Sequence, residues 1–191
     1  MDAVNGFKKI KKGFSGMGAI QSSASQSPDV WVLSLLMPGM SGLTAAKKIK
    51  RRNSEAKIVI MADYINHFFA HQFFALHCPY IVSKQSPASE LIETIKRCHT
   101  VEPSMKDIFG IKMVSLFKSN DPFRALTDAE LDVILSQLHF NMSLEDIAKL
   151  SGKGVKTLYN HRGSAFRKLG IHKLSELYAL AIKAGFSFRY E

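Results

Sequence analysis

The residues best suited to chemistry form a polar run at helical spacing between positions 156 and 167. The run contains two cations, an amide, a phenol and a glycine: Lys156, Tyr159, Asn160, Gly163 and Arg167. Steps of three and four place these side chains on one face of a helix. Asparagine can pair with an adenine edge in the DNA major groove, and arginine or lysine can pair with guanine or phosphate. The spacing therefore indicates a helix that reads DNA, while a solvated surface face is the alternative.

Charge is distributed unevenly around this helix. Residues 121–148 contain one basic and six acidic residues, whereas residues 149–189 contain nine basic residues and one acidic residue. The whole chain has a formal net charge of +10 at pH 7. Cations gathered around one helix are the electrostatic footprint of a nucleic-acid-binding protein. Affinity for DNA should then fall steeply with salt, because each phosphate contact releases counterions.

Three further helices are predicted around the helix at 155–169. The first begins after Thr127, because Thr127 and Glu130 have the spacing of a capping box, and it ends at Asn141, which tolerates the left-handed conformation. Its apolar positions recur at helical spacing: Leu131, Ile134, Leu135 and Leu138. A second helix follows Ser143, and a fourth spans 173–184. Within the helix at 155–169 a buried stripe is predicted at Leu158, Ala165 and Leu169.

Four motifs in this region resemble the LuxR-type helix-turn-helix domain, the output half of NarL/FixJ response regulators. They are Leu126-Thr127-x-x-Glu130, Ile147-Ala148, Val155-Lys156-Thr157-Leu158-x-x-His161-Arg162 and Lys168-Leu169-Gly170-Ile171. The resemblance implies an all-α domain of four helices, whose third helix enters the major groove and whose last helix forms a dimer contact. The chain departs from the usual family residues at four positions: Asn141, Ser151, Lys153 and Gly154.

This resemblance assigns roles to individual side chains. The predicted groove-facing residues are Lys156, Tyr159, Asn160 and Arg167. The predicted phosphate contacts are Lys153, Arg162 and Lys168, with Thr157 as a further one. His161 either packs inside the domain or contacts DNA, and Gly163 either permits a close approach to DNA or has no role. Double-stranded DNA bound by a dimer at two half-sites is expected, because one short recognition helix reads too few bases.

The N-terminal half alternates apolar strands with helices. Strands are predicted at 29–36, 57–61 and 80–83, which are apolar runs bounded by turn residues. Helices are predicted at 43–52, at 65–76 and after Ser86-Pro87, where proline suits the first turn. Such alternation favours right-handed βαβ units and a parallel sheet. Four phenylalanines of the helix at 65–76 suit either a core or a partner surface: Phe68, Phe69, Phe73 and Phe74.

Residues 29–99 resemble the receiver domain of response regulators, which has a flavodoxin-like parallel sheet. Met37-Pro38-Gly39 and Gly42-Leu43 match the turn after the phosphorylated strand, and residues 57–62 and 80–84 match the next two strands. A receiver takes phosphate onto an aspartate. It holds Mg²⁺ between acidic side chains and follows the phosphate with a hydroxyl and a lysine.

Only one of these chemical groups is recognisable in the sequence. Ser34 stands at the phosphoacceptor position, Ala62 stands at the hydroxyl position, and Lys84 matches the receiver lysine. No strand ending in two carboxylates is recognisable in residues 1–28. Two other aspartates at strand ends are interpreted as solvated or capping groups: Asp29 and Asp63. We therefore predict a partial, degenerate receiver that is not a phosphorylation switch, and whose missing first strand exposes a strand edge.

These patterns predict an α/β receiver-like domain followed by an all-α domain, in four segments. Residues 1–28 form a flexible segment, basic at first and then rich in Gly and Ser. Residues 29–100 form the degenerate receiver-like domain, residues 101–121 a linker with a short helix at 108–117, and residues 122–187 the helix-turn-helix domain. No signal peptide is recognisable, and no apolar run reaches the ~20 residues that span a bilayer. A bacterial cytoplasmic protein without membrane partners, nucleoid-associated when bound to DNA, is expected.

Several other classes of function find no support in the sequence. Cys78 and Cys98 lie far apart without metal-ligand spacing, which predicts two free thiols and no metal site. No nucleotide-binding loop, metalloprotease motif or nucleophile elbow occurs, so neither an enzyme nor a cofactor is predicted. Two functions remain. The first is a DNA-binding transcription regulator that acts as a homodimer or with a related regulator. The second is an auxiliary protein that forms a heterodimer with an intact response regulator and has little DNA affinity alone.

Overall fold

The computed structural model describes residues 13, 15–25, 28–63, 65–78, 80–100 and 121–186. The predictions for residues 1–12 and for the linker helix at 108–117 lie outside the described residues. No helix in the described part of the chain has the length and apolar character needed to cross a membrane.

A three-stranded parallel sheet forms the centre of the N-terminal half, as predicted. Its strands are β1 (Trp31–Ser34), β2 (Ile58–Ala62) and β3 (Tyr80–Ser83), and β2 lies in the middle. Trp31 is opposite Ile58 in the first pairing, and Ile60 is opposite Ile81 in the second. The observed β1 is shorter at both ends than the predicted strand at 29–36.

Helices cover both faces of the sheet. The helices of this half are α1 (Gly16–Ser25), α2 (Gly42–Arg52), α3 (His67–Ala75) and α4 (Ala88–Thr100). Val59 and Val82 point to the face covered by α4, whereas Leu33 and Ile60 point to the opposite face, towards α2 and α3. On α3, three of the four phenylalanines are buried: Phe68, Phe69 and Phe73. Their burial supports the core alternative for this helix.

Helix α1 differs from the sequence prediction, which assigned residues 13–28 to a flexible Gly- and Ser-rich segment. The helix packs against α2, and Ile20 is buried in the core. The Arg52 side chain donates a hydrogen bond to the Ile20 carbonyl, and the Ser15 hydroxyl accepts one from the Gly18 amide at 3.1 Å. Burial against α2 overrides the weak helix propensity of glycine and serine, since propensity is only a weak prior.

The C-terminal half is helical throughout its described residues. A 3₁₀ turn (Pro122–Ala125) precedes α5 (Asp128–Phe140), α6 (Leu144–Ser151), α7 (Val155–Leu169) and α8 (Leu174–Lys183). The capping box before α5 is confirmed, because the Glu130 amide donates to the Thr127 hydroxyl and the Thr127 amide donates to the Glu130 carboxylate. Asn141 ends α5 in the left-handed conformation, with φ at +46°, as predicted.

Helix α5 is buried on its polar side as well as on its apolar side. Besides the four predicted apolar residues, Asp132, Ser136 and Gln137 are at most 6% exposed. The apolar core that begins on the sheet continues through α3 to α5 and Phe186. The two halves therefore share one core, and the polar side of α5 lies between them.

Candidate nucleic-acid interface

Helix α7 is fixed to the C-terminal half by its apolar stripe. Leu158 and Ala165 are at most 1% exposed, and Leu169 packs partly buried against the core. The helix contacts both α5 and α6. Gly152 and Gly170 flank it in the left-handed conformation, with φ at +67° in each case, which a glycine adopts without steric cost. The predicted helix bounds of 155 and 169 are those observed.

The opposite face of α7 is open. All five members of the predicted polar run are exposed: Lys156, Tyr159, Asn160, Gly163 and Arg167. Thr157 is also exposed, and Lys153, just before the helix, is half-buried. One helix thus presents a set of hydrogen-bonding and cationic groups with the chemistry needed to contact base edges and phosphates.

Arg162 is not a free surface cation. It is half-buried, and its guanidinium carbon lies 5.2 Å from the centre of the Tyr159 ring and 5.9 Å from that of Phe166. His161 is also half-buried, which is compatible both with packing inside the domain and with a contact to DNA.

Lys168 has a partner inside the domain. Its ammonium lies 2.7 Å from the carboxylate of Glu130, whose side chain is only 5% exposed. Burial raises the pKa of Glu130, but hydrogen bonds from Lys168 and from the Thr127 amide lower it by more, to about 2. This ion pair joins the start of α5 to the end of α7. We therefore infer that Lys168 helps to hold α7 in place, while the phosphate contact predicted for it stays a prediction.

Two of the departures from the family pattern have visible structural effects. Ser151 is 6% exposed, and its buried hydroxyl has no hydrogen-bond partner. The surroundings of this side chain therefore suit an apolar residue. Gly154 precedes α7 and offers no side-chain cap.

Gly163 is surrounded by open space, because a Cβ added there would meet no atom within 4 Å. Packing within the chain therefore does not require glycine at position 163.

The residues predicted at the receiver's phosphorylation site lie at the carboxyl ends of the strands. Ser34 ends β1, and its hydroxyl donates to the Leu36 carbonyl at 2.9 Å. Ala62 ends β2 without a hydroxyl. Lys84 follows β3, and its ammonium lies 3.2 Å from the Asp63 carboxylate; both side chains are about one-third exposed, and such a pair contributes little stability. Among the described residues, no three His, Cys, Asp or Glu side chains cluster as a metal site.

The loop that follows β1 is bound by α5. The Asp132 carboxylate accepts hydrogen bonds from the Ser41 amide at 2.9 Å, the Ser41 hydroxyl at 2.8 Å and the Thr44 hydroxyl at 2.9 Å. One turn later, the Ser136 hydroxyl accepts one from the Gly39 amide at 3.1 Å. We call these residues the interdomain polar cluster: Gly39, Ser41, Thr44, Asp132 and Ser136. Burial raises the pKa of Asp132, although the hydrogen bonds from Ser41 and Thr44 act in the opposite direction.

Further contacts extend this interface along the same edge of the sheet. The Asn66 amide, after β2, donates to the Ala184 carbonyl at 3.4 Å. The Phe69 and Phe186 rings meet edge to face with centroids 5.7 Å apart. Burial lowers the pKa of His139 to about 4, and the charge of Lys84 contributes. The C-terminal half therefore packs on segments that follow β1 and β2, at the edge where a receiver carries its chemistry.

Sequence reasoning missed the interdomain polar cluster. Its only local signal is the pair Asp132 and Ser136, four residues apart on the side of α5 away from the apolar stripe, which is equally the pattern of a solvated face.

The two cysteines, in contrast, are free thiols as predicted. Burial raises the pKa of Cys78 to about 12 and that of Cys98 to about 11, so neither is a reactive thiolate at neutral pH.

Known proteins share this architecture. Residues 3–96 match the family model of the response regulator receiver domain, so the match begins upstream of residue 29. The chain is 23% identical to the response regulator UvrY of Escherichia coli strain K12, over 97% of this chain and 86% of the relative. The RcsB response regulator of Salmonella typhimurium shares the fold, with a TM-score of 0.62 at 19% identity over 90% of this chain and 82% of RcsB.

A second RcsB structure, from Salmonella enterica serovar Typhimurium, is bound to the promoter P1flhDC. It matches with a TM-score of 0.56 at 20% identity, over 87% of this chain and 81% of that one. The receiver-domain match covers the N-terminal half, and the four helices of the C-terminal half carry the LuxR-type motifs in their predicted order. The N-terminal half therefore matches the receiver domain of response regulators, and the chain as a whole is similar in sequence and fold to response regulators, while its C-terminal half carries motifs that resemble the LuxR-type helix-turn-helix domain of the NarL/FixJ family.

Proposed function

We propose that this protein is a transcription regulator that binds specific DNA sequences as a dimer through α7. The observation that carries the proposal is the open polar face of α7, which stays exposed although the two halves are packed together. The concentration of positive charge in residues 149–189 supports it. The shared fold with RcsB bound to promoter DNA is consistent with this use of the helix.

The side chains divide into base-reading and phosphate-binding groups. Asn160 pairs with an adenine edge, and Lys156 and Arg167 contact guanine or phosphate. Lys153 and Thr157 contact the DNA backbone. For the dimer, α8 offers exposed apolar side chains at Leu174 and Ile182, which are 38% and 59% exposed. Apolar groups exposed on one helix suit pairing with a second subunit.

The same protein acts without phosphorylation. Serine and alanine replace the acceptor and the hydroxyl, Lys84 pairs with Asp63, and the interdomain polar cluster binds the loop after β1. Incubation with acetyl phosphate and Mg²⁺ should give no acid-labile adduct and no change in DNA affinity. An adduct within residues 29–100 that alters the affinity would refute this part of the proposal.

The deciding experiment is selection of bound sequences from random DNA by the full chain at two salt concentrations. A recovered motif with two-fold symmetry is expected. Asn160→Ala should relax the preference at one position per half-site, whereas Lys153→Ala should weaken all sequences alike. An equal loss on specific and random DNA for Asn160→Ala would refute the base-reading role of Asn160.

Binding that yields no motif and disappears at high salt would instead favour the auxiliary function. In that case the chain should form a heterodimer with an intact response regulator and change that regulator's DNA affinity. Because α8 exposes Leu174 and Ile182 whichever subunit is the partner, Ile182→Lys should weaken both kinds of dimer. Weaker dimer formation in Ile182→Lys is therefore expected for both functions, and only the selection of bound DNA sequences distinguishes them.

A further inference from the structure

Three side chains of α7 are stacked along the helix. Phe166 packs partly buried against the core. The Arg162 guanidinium lies within 6 Å of the ring centres of both Phe166 and Tyr159, which is the range of cation–π attraction. Tyr159, at the outer end of the stack, is 49% exposed. The stack thus connects the apolar core to an aromatic ring on the exposed face.

About half of Tyr159 is exposed, so a further apolar group can pack on its ring. The other members of the predicted polar run are a lysine, an asparagine, a glycine and an arginine, so such a group is best supplied by a binding partner. In the major groove the C5-methyl group of thymine is the apolar feature that a side chain can contact. A ring already restrained by Arg162 also loses less conformational freedom on binding than a free one.

We infer that Tyr159 contacts a thymine methyl group in the major groove and that Arg162 is the positioning residue that holds its ring. This inference rests on the proposed DNA binding and adds a base preference to it. Arg162 then acts mainly through Tyr159, in contrast to the phosphate contact predicted from the sequence. The guanidinium edge stays available for a phosphate, so the experiment must separate the two roles.

Uracil provides the test, because it pairs like thymine and lacks only the C5-methyl group. Starting from the selected sequence, each thymine is replaced by uracil in turn, and the dissociation constant is measured at one salt concentration. The wild-type chain should bind about threefold to fivefold more weakly at one position per half-site, the size expected for one methyl group returned to water. The ratio of the two dissociation constants, uracil over thymine, is the readout.

Variants assign this ratio to the two side chains. Tyr159→Phe should keep the ratio, since the ring remains, and Tyr159→Ala should bring it close to one. Arg162→Met should lower the ratio, and Arg162→Lys should restore part of it; a phosphate contact alone would change both dissociation constants equally and leave the ratio intact. Lys149→Met, which removes an exposed cation of α6, is the matched control and should leave the ratio unchanged.

Three results would overturn the inference. Tolerance of uracil at every position by a wild-type chain that still selects a motif would remove the thymine contact. An unchanged ratio in Tyr159→Ala would assign the contact to another residue, and a loss of the ratio in Tyr159→Phe would assign it to the hydroxyl. Failure to select any motif would overturn the proposed function, and the inference with it. As a control, an unfolding curve is measured for each variant, so that only variants whose domain is folded are compared.

Discussion

Replacing Asp132 with alanine is the sharpest test of how the two halves are held together. The substitution removes the acceptor at the centre of the interdomain polar cluster and leaves the apolar core unchanged. Asp132→Asn is its partner variant, because the amide oxygen can accept the same hydrogen bonds without a charge. Glu145→Ala, which removes an exposed carboxylate of α6, is the matched control.

The magnitude follows from the hydrogen bonds that are lost. Alanine leaves two buried donors without an acceptor, the Ser41 amide and the Thr44 hydroxyl, because the Ser41 hydroxyl can still donate to the Thr44 hydroxyl at 3.2 Å. Each unsatisfied donor costs about 1–3 kcal/mol. Burial raises the pKa of Asp132, so its ionised form opposes folding and removing the charge offsets part of the loss. We expect Asp132→Ala to lower the free energy of unfolding by about 3 kcal/mol, and Asp132→Asn by less than about 1 kcal/mol.

Urea unfolding measured with two probes provides the assay. Trp31 is the single tryptophan and lies in β1, so its fluorescence reports on the N-terminal half. Circular dichroism at 222 nm reports on the helices of both halves. The two probes should give one coincident transition in the wild-type chain and two separate transitions in Asp132→Ala. Coincident transitions with a loss below about 1 kcal/mol in Asp132→Ala, equal to that of Glu145→Ala, would refute the stabilising role of the cluster.

Two further predictions concern α7. Gly163→Ala should raise the free energy of unfolding by about 1 kcal/mol, since the added methyl meets no atom of the chain; a drop in thermal stability would contradict this, and a simultaneous loss of DNA affinity would show that DNA approaches closely there. The ion pair of Glu130 with Lys168 should make stability depend on acid. Because the folded-state pKa of Glu130 is lowered to about 2, its contribution is complete above about pH 4.5 and is lost as the pH falls towards 2, by about 3 kcal/mol. Lys168→Met should flatten this part of the pH dependence, and an identical acid profile in the variant and the wild type would contradict the assignment.

Local signals predicted much of the fold. The capping box at Thr127 and Glu130, the left-handed Asn141 and the apolar stripe of α7 are short-range patterns, and each fixes one helix end or one buried face. The alternation of apolar runs with helices likewise predicted the parallel sheet. These features depend on residues that are close together in the sequence, where spacing alone determines which side chains share a face.

Contacts between distant residues were the part that the sequence could not supply. Asp132 and Ser41 are far apart in the chain, and nothing local distinguishes a carboxylate that binds a buried helix start from one that faces water. The ion pair of Lys168 with Glu130 could not be predicted for the same reason, since the two residues lie on different helices. Helix α1 was missed because Ile20 is held by α2, while the composition around it favours a flexible segment.

The interdomain polar cluster has a consequence for how such a protein can be controlled. A response that depends on a change of shape needs two arrangements within a few kcal/mol of each other. If breaking the cluster's hydrogen bonds adds about 3 kcal/mol to the free energy of separating the halves, the separated population falls more than a hundredfold. If the chain acts as the proposed dimer and is held in one arrangement, it would respond instead to its own abundance, because dimer formation depends on protomer concentration. Its rate of synthesis and its rate of proteolysis would then set how much of its target DNA is occupied.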